Sequence, residues 1–340
     1  MPQAEPPVDW ESMPKVELHL HLEGAIPLPT MWELVERHGG DPEVPDPEAL
    51  RRRFEFRDFA HFIGTWEWKL RFHTTFDDYE LLAAAVAEDL ARQGHRYVEA
   101  YVSPTDSPLP PGELLHAVRR GLDRHPEVTV ALVPDLVRDT QPQTAMRTLE
   151  AVIEVASETG VVGITIGGSE QLYPAAPFAP VFDRAREAGL RLTAHAGEAA
   201  GPESVWQAVE DLGVDRIGHG VRAVEDRELV ATLVERQIPL EMCPTSNVRT
   251  GVVDSLASHP IRRLIEEGAF VTLNTDDPAM FGCSLAGEYA ALHALGVDLA
   301  SLRMLSENAV DASWAPPAVK RDLHVGLATW WQGLTEAPVA

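Results

Sequence analysis

Two histidines separated by a single residue stand in an apolar stretch near the N-terminus. His19 and His21 belong to the segment 16–24, which closes on a glycine. Alternate side chains of a β-strand point to the same face, so a strand here would project both imidazoles side by side. Such a pair supplies half of a divalent-metal site with little ordering cost. For an isolated pair of this spacing the alternative is two unrelated histidines on a polar strand face, and the residues downstream bear on the choice.

Further residues of metal-ligand and acid–base type occur along the chain, each at or just past the end of an apolar run. They are Gly168, His195, Glu198, His219, Asp276 and Asp277. Three imidazoles and one carboxylate suit Zn²⁺ or Fe²⁺, with one position left for water. The four predicted ligands are His19, His21, His195 and Asp276. The three lysines, at positions 15, 69 and 320, lie away from the predicted strand ends, which favours one ion per chain over two ions bridged by a modified lysine.

Three more residues have predicted roles beside this ion. A bound metal lowers the pKa of water from 15.7 to about 7 and so provides hydroxide at neutral pH. Glu198, three residues after His195, is placed to pass a proton to a ring nitrogen of a substrate; its structural alternative is a cap for the following helix. His219 could hold the attacking water. Asp277 diverges from Asp276 and is interpreted as a substrate contact.

The elements that must position these residues follow a regular alternation. Eight short apolar runs, beginning near residues 16, 97, 128, 161, 190, 216, 238 and 269, are each followed by a helical pattern. Strict alternation of strand and helix predicts a parallel sheet, and eight units favour a closed (β/α)₈ TIM-type barrel. No G-x-G-x-x-G or P-loop motif supports the open, doubly wound alternative. The carboxyl ends of barrel strands converge on one mouth, where active sites are built.

An aromatic cluster interrupts the pattern after the first strand. Six of the ten phenylalanines, with Trp66 and Trp68, fall within residues 54–76. Ordinary helix core is one interpretation, because aromatic stripes usually pack; an inserted helical lid over a flat apolar ligand is the other. We predict the lid, within a single hydrolase domain that spans residues 1–340.

Composition narrows the classes of partner. The formal net charge of −25 argues against nucleic acid and anionic membranes, whose phosphates are bound by lysine and arginine. Two cysteines give no disulfide framework, and Met1 to Glu11 has neither the basic nor the apolar region of a leader peptide. We therefore expect a cytoplasmic enzyme with a small-molecule substrate. The sequence leaves the oligomeric state open.

Taken together, these residues resemble the adenosine deaminase family, a branch of the metal-dependent amidohydrolases. The matching motifs, in family order, are HLHLEG at 19–24, HAGE at 195–198, IGHG at 217–220, CPTSN at 243–247 and TDDP at 275–278. The resemblance implies one Zn²⁺ on the four predicted ligands and hydrolytic removal of the 6-amino group of a purine, with release of ammonia. It further implies that Glu198 protonates N1, His219 positions hydroxide, Asp277 binds N7 and the Gly168 N–H binds N3.

Departures from the family pattern concern the substrate. Glu23 stands where typical adenosine deaminases have an aspartate that contacts the ribose, and relatives that act on adenine or on modified nucleosides often have glutamate there. Adenosine deaminases usually have Gly-Asp-Glu where this chain has Gly-Gly-Ser-Glu at residues 167–170. The strand near residue 100 also lacks an arginine that is common at that position in the family. The expected substrate is an adenosine-like nucleoside; adenine and 6-aminodeoxyfutalosine, a menaquinone precursor carrying an aromatic acid, remain alternatives. A different metal-dependent hydrolase and a non-catalytic nucleoside-binding relative are the competing classes.

Overall fold

The structure is a computed structural model that describes residues 8–336. The absence of a leader was predicted from Met1 to Glu11, of which residues 1–7 lie outside the described range. Within that range no helix combines the length and the apolar character needed to cross a membrane.

Eight parallel strands form the centre of the molecule. They are β1 Lys15–His21, β2 His95–Val102, β3 Thr129–Pro134, β4 Gly163–Ile164, β5 Arg191–Ala196, β6 Arg216–His219, β7 Leu240–Met242 and β8 Val271–Leu273. Hydrogen bonds pair β1 to β3 in order and β4 to β8 in order. Isolated parallel bridges join Leu132 to Val161 and Leu20 to Asp276. The strands therefore follow one another around a TIM-type barrel, and the predicted fold is confirmed.

Fifteen α-helices accompany the strands in the described range. They are α1 Leu28–Arg37, α2 Pro47–Arg53, α3 Phe59–Lys69, α4 Phe76–Arg92, α5 Pro111–Leu122, α6 Pro142–Thr159, α7 Ala179–Glu187, α8 Pro202–Gln207, α9 Arg227–Arg236, α10 Pro244–Arg249, α11 Ile261–Glu266, α12 Pro278–Phe281, α13 Leu285–Ala294, α14 Leu299–Ala312 and α15 Pro317–Glu336. Shorter 3₁₀ turns, such as Leu70–Phe72 and Leu256–Ser258, connect some of them.

Strand β1 shows how sequence alternation sorts side chains between the two sides of the barrel wall. All seven of its residues are buried, as expected for a parallel strand covered on both faces. Leu18 and Leu20 belong to apolar clusters with the surrounding helices. Glu17, His19 and His21 alternate with them and therefore project to the opposite side, into the barrel. One strand thus contributes to the packed core and to the polar interior at once.

A buried ion network fills the barrel below its mouth. Arg216 on β6 donates from Nη2 to Glu99 Oε2 and from Nε to Glu241 Oε1, both at 2.6 Å. The hydroxyl of Tyr101 donates to Glu241 Oε2 at 2.5 Å. All four side chains are essentially inaccessible to solvent. We call Arg216, Glu99, Glu241 and Tyr101 the lower network.

The insertion between β1 and β2 carries the aromatic cluster. Helix α3 begins where the side chain of Asp58 accepts a hydrogen bond from the His61 N–H at 2.8 Å, a standard N-terminal cap. Phe62 and Trp68 are buried, which fits the interpretation as helix core. Phe62 also lines the cavity at the barrel mouth together with Trp66. The cluster therefore packs and covers the mouth at once, and movement of this helix stays a prediction.

Candidate active site

The structure brings the four predicted metal ligands together. His19 and His21 come from β1, His195 from β5 and Asp276 from the turn after β8, and their ligand atoms lie within 4.8 Å of one another. The Nε2 atoms of His21 and His195 are 3.1 Å apart. Asp276 Oδ1 lies 3.2 Å from His19 Nε2 and 3.3 Å from His21 Nε2. All four residues are buried.

The donor set fits Zn²⁺. Zinc binds imidazole nitrogen at about 2.0–2.1 Å in tetrahedral geometry, and two nitrogens 3.1 Å apart can therefore share one ion. His19 Nε2 has no hydrogen-bond partner although it is buried. Burial opposes protonation of His19, but the negative charges of Asp276 and Glu241 outweigh it and raise its pKa to about 10. The surroundings of this atom thus favour a positive charge, which a metal ion supplies.

Neighbouring side chains orient the ligands. Glu241 Oε2 accepts from His19 Nδ1 at 3.0 Å, which leaves Nε2 of that ring free toward the ion. Ser246 Oγ donates to Asp276 Oδ2 at 2.6 Å. Burial, with the nearby His19 and His21, keeps the pKa of His195 well below its ordinary value. His195 is therefore neutral, as a metal ligand must be.

The backbone is strained at two of these positions. Asp276 has φ +68° and His219 has φ +64°, in the left-handed region that costs residues other than glycine about 1–2 kcal/mol. Both residues directly follow or end a short strand. Residues held in this region cluster at functional sites. The strain turns both side chains into the mouth of the barrel at the end of their strands.

Glu198 lies in the same pocket and favours its protonated form. Its Oε2 is 3.5 Å from His219 Nε2. Burial, with the negative charges of Asp276 and Glu170, raises the pKa of Glu198 well above its ordinary value. A carboxyl group in this state can donate a proton at neutral pH. The alternative role as a helix cap is wrong, because α8 has Gly201 at its N-cap and no side-chain cap.

A chain of hydrogen bonds sets the orientation of His219. The backbone N–H of Ile261 donates to His259 Nδ1 at 3.1 Å, so the proton of the neutral His259 ring is on Nε2, which faces Asn247 Oδ1 at 3.1 Å. Burial lowers the pKa of His259 to about 4, which keeps the ring neutral. The amide of Asn247 then donates to His219 Nδ1 at 3.3 Å. His219 consequently presents an Nε2–H group to the pocket.

Asn247 belongs to the CPTSN motif, and it contacts His219. His259 belongs to none of the motifs. No local signal marks His259, since it follows a 3₁₀ turn and precedes α11. Only the packing of this loop against α10 brings it to Asn247.

Three predicted substrate contacts surround the same mouth. Gly168, with φ +98°, and Asp277 line the cavity. Glu23 Oε1 accepts from the Ser103 N–H at 3.0 Å, and Ser103 lines the cavity in turn. Asp277 Oδ1 and Glu23 Oε2 are buried without a hydrogen-bond partner among the described residues. Buried polar atoms are seldom left unpaired. Asp277 lines the cavity, so its Oδ1 is available to a ligand, whereas Glu23 itself does not line the cavity.

The cavity encloses about 770 Å³ including its open mouth, within the range of small-molecule sites. One wall is formed by α3 and the adjoining Leu70, and it also carries Glu67; the side formed by the strand ends carries three aspartates that the sequence motifs did not mark. The apolar residues are Phe59, Phe62, Ile63, Trp66 and Leu70; the added carboxylates are Glu67, Asp106, Asp135 and Asp139. The missed aspartates lie after β2 and β3, where the sequence offered no metal-ligand pattern to single them out.

The prediction that no lysine lies near the mouth was wrong for Lys69. Its side chain is buried, with Nζ 3.5 Å from the ring centroid of Trp66 and 3.2 Å from Met280 Sδ. Burial lowers the pKa of Lys69 to about 8, against the attraction of Asp277 and Glu23. The insertion folds α3 back over the strand ends, which the local pattern of α3 does not reveal. Lys69 makes no contact with the four metal ligands that would suit a bridge between two ions.

Comparison with known proteins agrees with this geometry. The family model described as adenosine deaminase matches residues 14–330. The chain belongs to the adenosine deaminase family. The predicted resemblance is thereby confirmed, and so is the prediction of a metal-dependent aminohydrolase.

Two curated members of the adenosine deaminase family and one solved structure illustrate the similarity. The aminodeoxyfutalosine deaminase of Streptomyces avermitilis is 38% identical over 94% of this chain and 91% of its own length. The adenine deaminase of Rhodospirillum rubrum is 36% identical over 95% of this chain and 98% of its own length. An amidohydrolase from Burkholderia ambifaria, solved with bound Zn, has a TM-score of 0.88 at 27% identity and covers 98% of this chain and 96% of its own. The names of the relatives differ in substrate.

Proposed function

We propose that this protein hydrolyses the 6-amino group of an adenosine-like nucleoside, giving the 6-oxo product and ammonia. One observation carries the proposal: Glu198, a buried glutamate whose pKa is raised well above its ordinary value, faces the same pocket as a buried three-histidine, one-aspartate group that fits Zn²⁺. Proton donation to a purine ring and attack by water at its C6 need these two functions side by side.

In this proposal His19, His21, His195 and Asp276 hold one Zn²⁺, which supplies a water activated for attack at neutral pH. Glu198 gives its proton to N1 of the purine, so that negative charge does not build up on the ring as C6 becomes tetrahedral. The Nε2–H of His219 donates a hydrogen bond to the attacking oxygen and orients it. The hydroxyl proton of the attacking oxygen then passes to the 6-amino group, the C6–N bond breaks, and ammonia leaves as C6 becomes planar in the 6-oxo product.

The purine ring is held by two further residues. Burial and the neighbouring Asp276 raise the pKa of Asp277 to about 7, so its protonated form can donate to N7 and its unpartnered Oδ1 is free for that contact. The backbone N–H of Gly168 binds N3. The positive φ of Gly168 and the close approach of Asp139 leave no room for a side chain, which suits a backbone contact with a flat ring.

The charge of the pocket supports an uncharged nucleoside. Among the described residues that line it, four carboxylates stand beyond the metal ligands, Glu198 and Asp277, and there is neither lysine nor arginine. Carboxylates accept hydrogen bonds from sugar hydroxyls and repel anionic groups. Adenosine therefore suits the pocket better than a substrate bearing phosphate or carboxylate.

A second candidate, aminodeoxyfutalosine, is favoured by the aromatic wall of α3. Phe59, Phe62 and Trp66 form an apolar surface that could cover the aromatic ring of that substrate. Its carboxylate would then have to extend past the acidic wall to solvent.

A substrate panel tests the proposal. The zinc-loaded protein is incubated with adenosine, 2′-deoxyadenosine, adenine and aminodeoxyfutalosine, and ammonia release is followed, with 5′-AMP as the anionic control. We expect the highest kcat/KM with adenosine or 2′-deoxyadenosine and at least a tenfold lower value with 5′-AMP. A preference for aminodeoxyfutalosine or adenine would select that alternative, and absence of turnover on every purine would refute the proposal.

The metal content separates the competing classes. We expect one zinc per chain by elemental analysis. Two ions per chain, with no purine turnover, would favour a different metal-dependent hydrolase. Measurable turnover excludes a non-catalytic binding relative.

A further inference from the structure

The turn that follows β5 carries four consecutive backbone N–H groups that converge on one carboxylate. Glu170 Oε1 accepts from the N–H of Gly197 at 2.5 Å. Its Oε2 accepts from Glu198, Ala199 and Ala200 at 3.0, 2.7 and 2.9 Å. Glu170 is only 4% exposed. A carboxylate bound by four N–H groups is fixed far more firmly than one bound by a single group.

These four N–H groups have no other partner in the secondary structure. Gly197 has φ +67°, so the chain leaves the extended conformation of β5 there, and α8 begins only at Pro202. The N–H groups of residues 197–200 therefore donate to no strand or helix carbonyl, although the Gly197 carbonyl accepts from the Arg222 N–H at 2.8 Å. These donors would be left unpaired without Glu170. The side chain of Glu170 replaces the missing backbone partners.

A buried cation holds the other end of the same segment. Arg138, after β3, donates from Nη2 to the His195 carbonyl at 2.6 Å and to the Ile166 carbonyl at 3.2 Å. Its Nε donates to the Gly167 carbonyl at 3.2 Å. Arg138 thus fixes the main chain at His195 while Glu170 fixes it at Glu198. The distance between the metal ligand and the proton donor is set from both ends.

We infer that Glu170 is a positioning residue for the deamination, which anchors the main chain of Glu198 and so fixes where the acid meets the substrate ring. The inference rests on the proposed function, because it takes Glu198 as the proton donor. Glu170 itself does not line the cavity and acts only through the turn. Its charge is needed as well as its shape, since an amide in its place would turn an N–H₂ group toward backbone donors.

The kinetic test compares Glu170→Gln with Glu203→Gln. Glu203 is the matched control, because its carboxylate, in the first turn of α8, accepts from the Gly201 N–H at 3.2 Å but lies outside the pocket. For Glu170→Gln we expect kcat to fall 10- to 100-fold, with KM within threefold and zinc content unchanged. Glu170→Asp, which keeps the charge, should recover part of kcat. The control should stay within twofold of the wild type. Wild-type kcat in Glu170→Gln, or equal losses in both variants, would overturn the inference.

A double-mutant cycle with Glu198→Gln separates positioning from general destabilisation. If Glu170 acts through Glu198, adding Glu170→Gln to the Glu198→Gln variant should change the residual rate less than threefold, because coupled residues are not additive. Independent, multiplicative losses would contradict the inference. Should Glu170→Gln fail to fold, the same cycle is run with Glu170→Asp and the same two outcomes decide.

Hydrogen exchange gives a readout that needs no substrate. The amides of residues 198–200 should be protected in the wild type and should exchange at least tenfold faster in Glu170→Gln, while the strand amides of β5 keep their protection. Unchanged protection of the turn would refute the anchoring role. This measurement stands even if no purine is turned over, so failure of the proposed function and failure of this inference can be told apart.

Discussion

Two buried charge clusters lie one above the other in the barrel, and they differ in how completely they are paired. In the lower network, Arg216 donates to Glu99, to Glu241 and to the Ala312 carbonyl, and its guanidinium lies 3.6 Å from the centroid of the Trp314 ring. No side-chain atom of that network is left buried and unpaired.

At the mouth the opposite holds. Four buried atoms have no hydrogen-bond partner among the described residues: His19 Nε2, His21 Nδ1, Glu23 Oε2 and Asp277 Oδ1. Leaving a polar atom buried and unpaired costs about 1–3 kcal/mol. The comparison teaches that pairing, more than burial or charge, separates a cluster that supports the fold from one that binds a ligand.

Glu241 joins the two clusters. One oxygen accepts from Arg216 and the other from Tyr101 and from His19 Nδ1. Burial opposes ionisation, but Arg216 and His19 outweigh it and lower the pKa of Glu241 to about 2. The lower network therefore keeps Glu241 as a carboxylate, and this carboxylate orients a metal ligand.

The largest effect on activity should come from Glu198, which lies at the mouth beside the unpaired atoms. We expect Glu198→Gln to lower kcat by about 10³–10⁴-fold, the range of a positioned general acid, because the amide has no proton to give to N1. Zinc content should match the wild type. Measurement of kcat and of zinc by elemental analysis checks both, and full activity would exclude Glu198 as the donor.

Glu99→Gln should weaken the lower network without affecting the chemistry. Removing the charge that faces Arg216 leaves a buried cation partly uncompensated, and we expect a loss of roughly 3 kcal/mol in the free energy of unfolding. The KM of the folded protein and its affinity for zinc should stay within about threefold of the wild type. Denaturant unfolding with matched kinetics measures this. A large loss of zinc affinity would show that the two clusters do not have separate roles.

Glu241→Gln should affect both clusters moderately. The amide orients His19 less well, and changes of this kind typically cost 10- to 100-fold in metal affinity. Competition with a chelator measures that affinity, and excess zinc should restore most of the activity. Glu99→Gln serves as the control, since Glu99 also pairs with Arg216 but does not contact His19. Equal zinc affinities in the two variants would argue against the joining role of Glu241.

The smallest effect concerns an unpaired atom away from the mouth. His73 Nε2 is buried without a partner, and burial together with the positive charge of Lys69 lowers the pKa of His73 to about 3. The unfolded chain takes up this proton near pH 6.5 but the folded chain does not, so stability is lost as pH falls from 6.5 toward 3.

Between pH 7 and pH 5 the contribution of His73 to this loss should be roughly 1–2 kcal/mol. His73→Gln should therefore lose less stability over that interval than the wild type, by denaturant unfolding at both pH values. The control His324→Gln removes a histidine that is partly exposed and paired with Asp311. Identical pH dependence in His73→Gln and the wild type would contradict the assignment.

The sequence by itself determined the features that depend on short-range pattern. Strand–helix alternation predicts the barrel, and the spacing of His19 and His21 places two imidazoles on one strand face. The ends of later strands then mark His195 and Asp276 as their partners. These predictions succeed because strand periodicity is local and because parallel strands bring their carboxyl ends to one mouth.

Tertiary structure alone decided the contacts between distant segments. Glu170 reaches the turn at Glu198, His259 reaches Asn247, and Lys69 reaches Met280. None of these pairs has a sequence spacing with a structural meaning of its own. Each depends on the order of strands around the barrel and on how the loops and the insertion pack at its mouth. The grouping of the four predicted ligands was therefore readable from residue types and strand ends, while the contacts that hold the site in position were not.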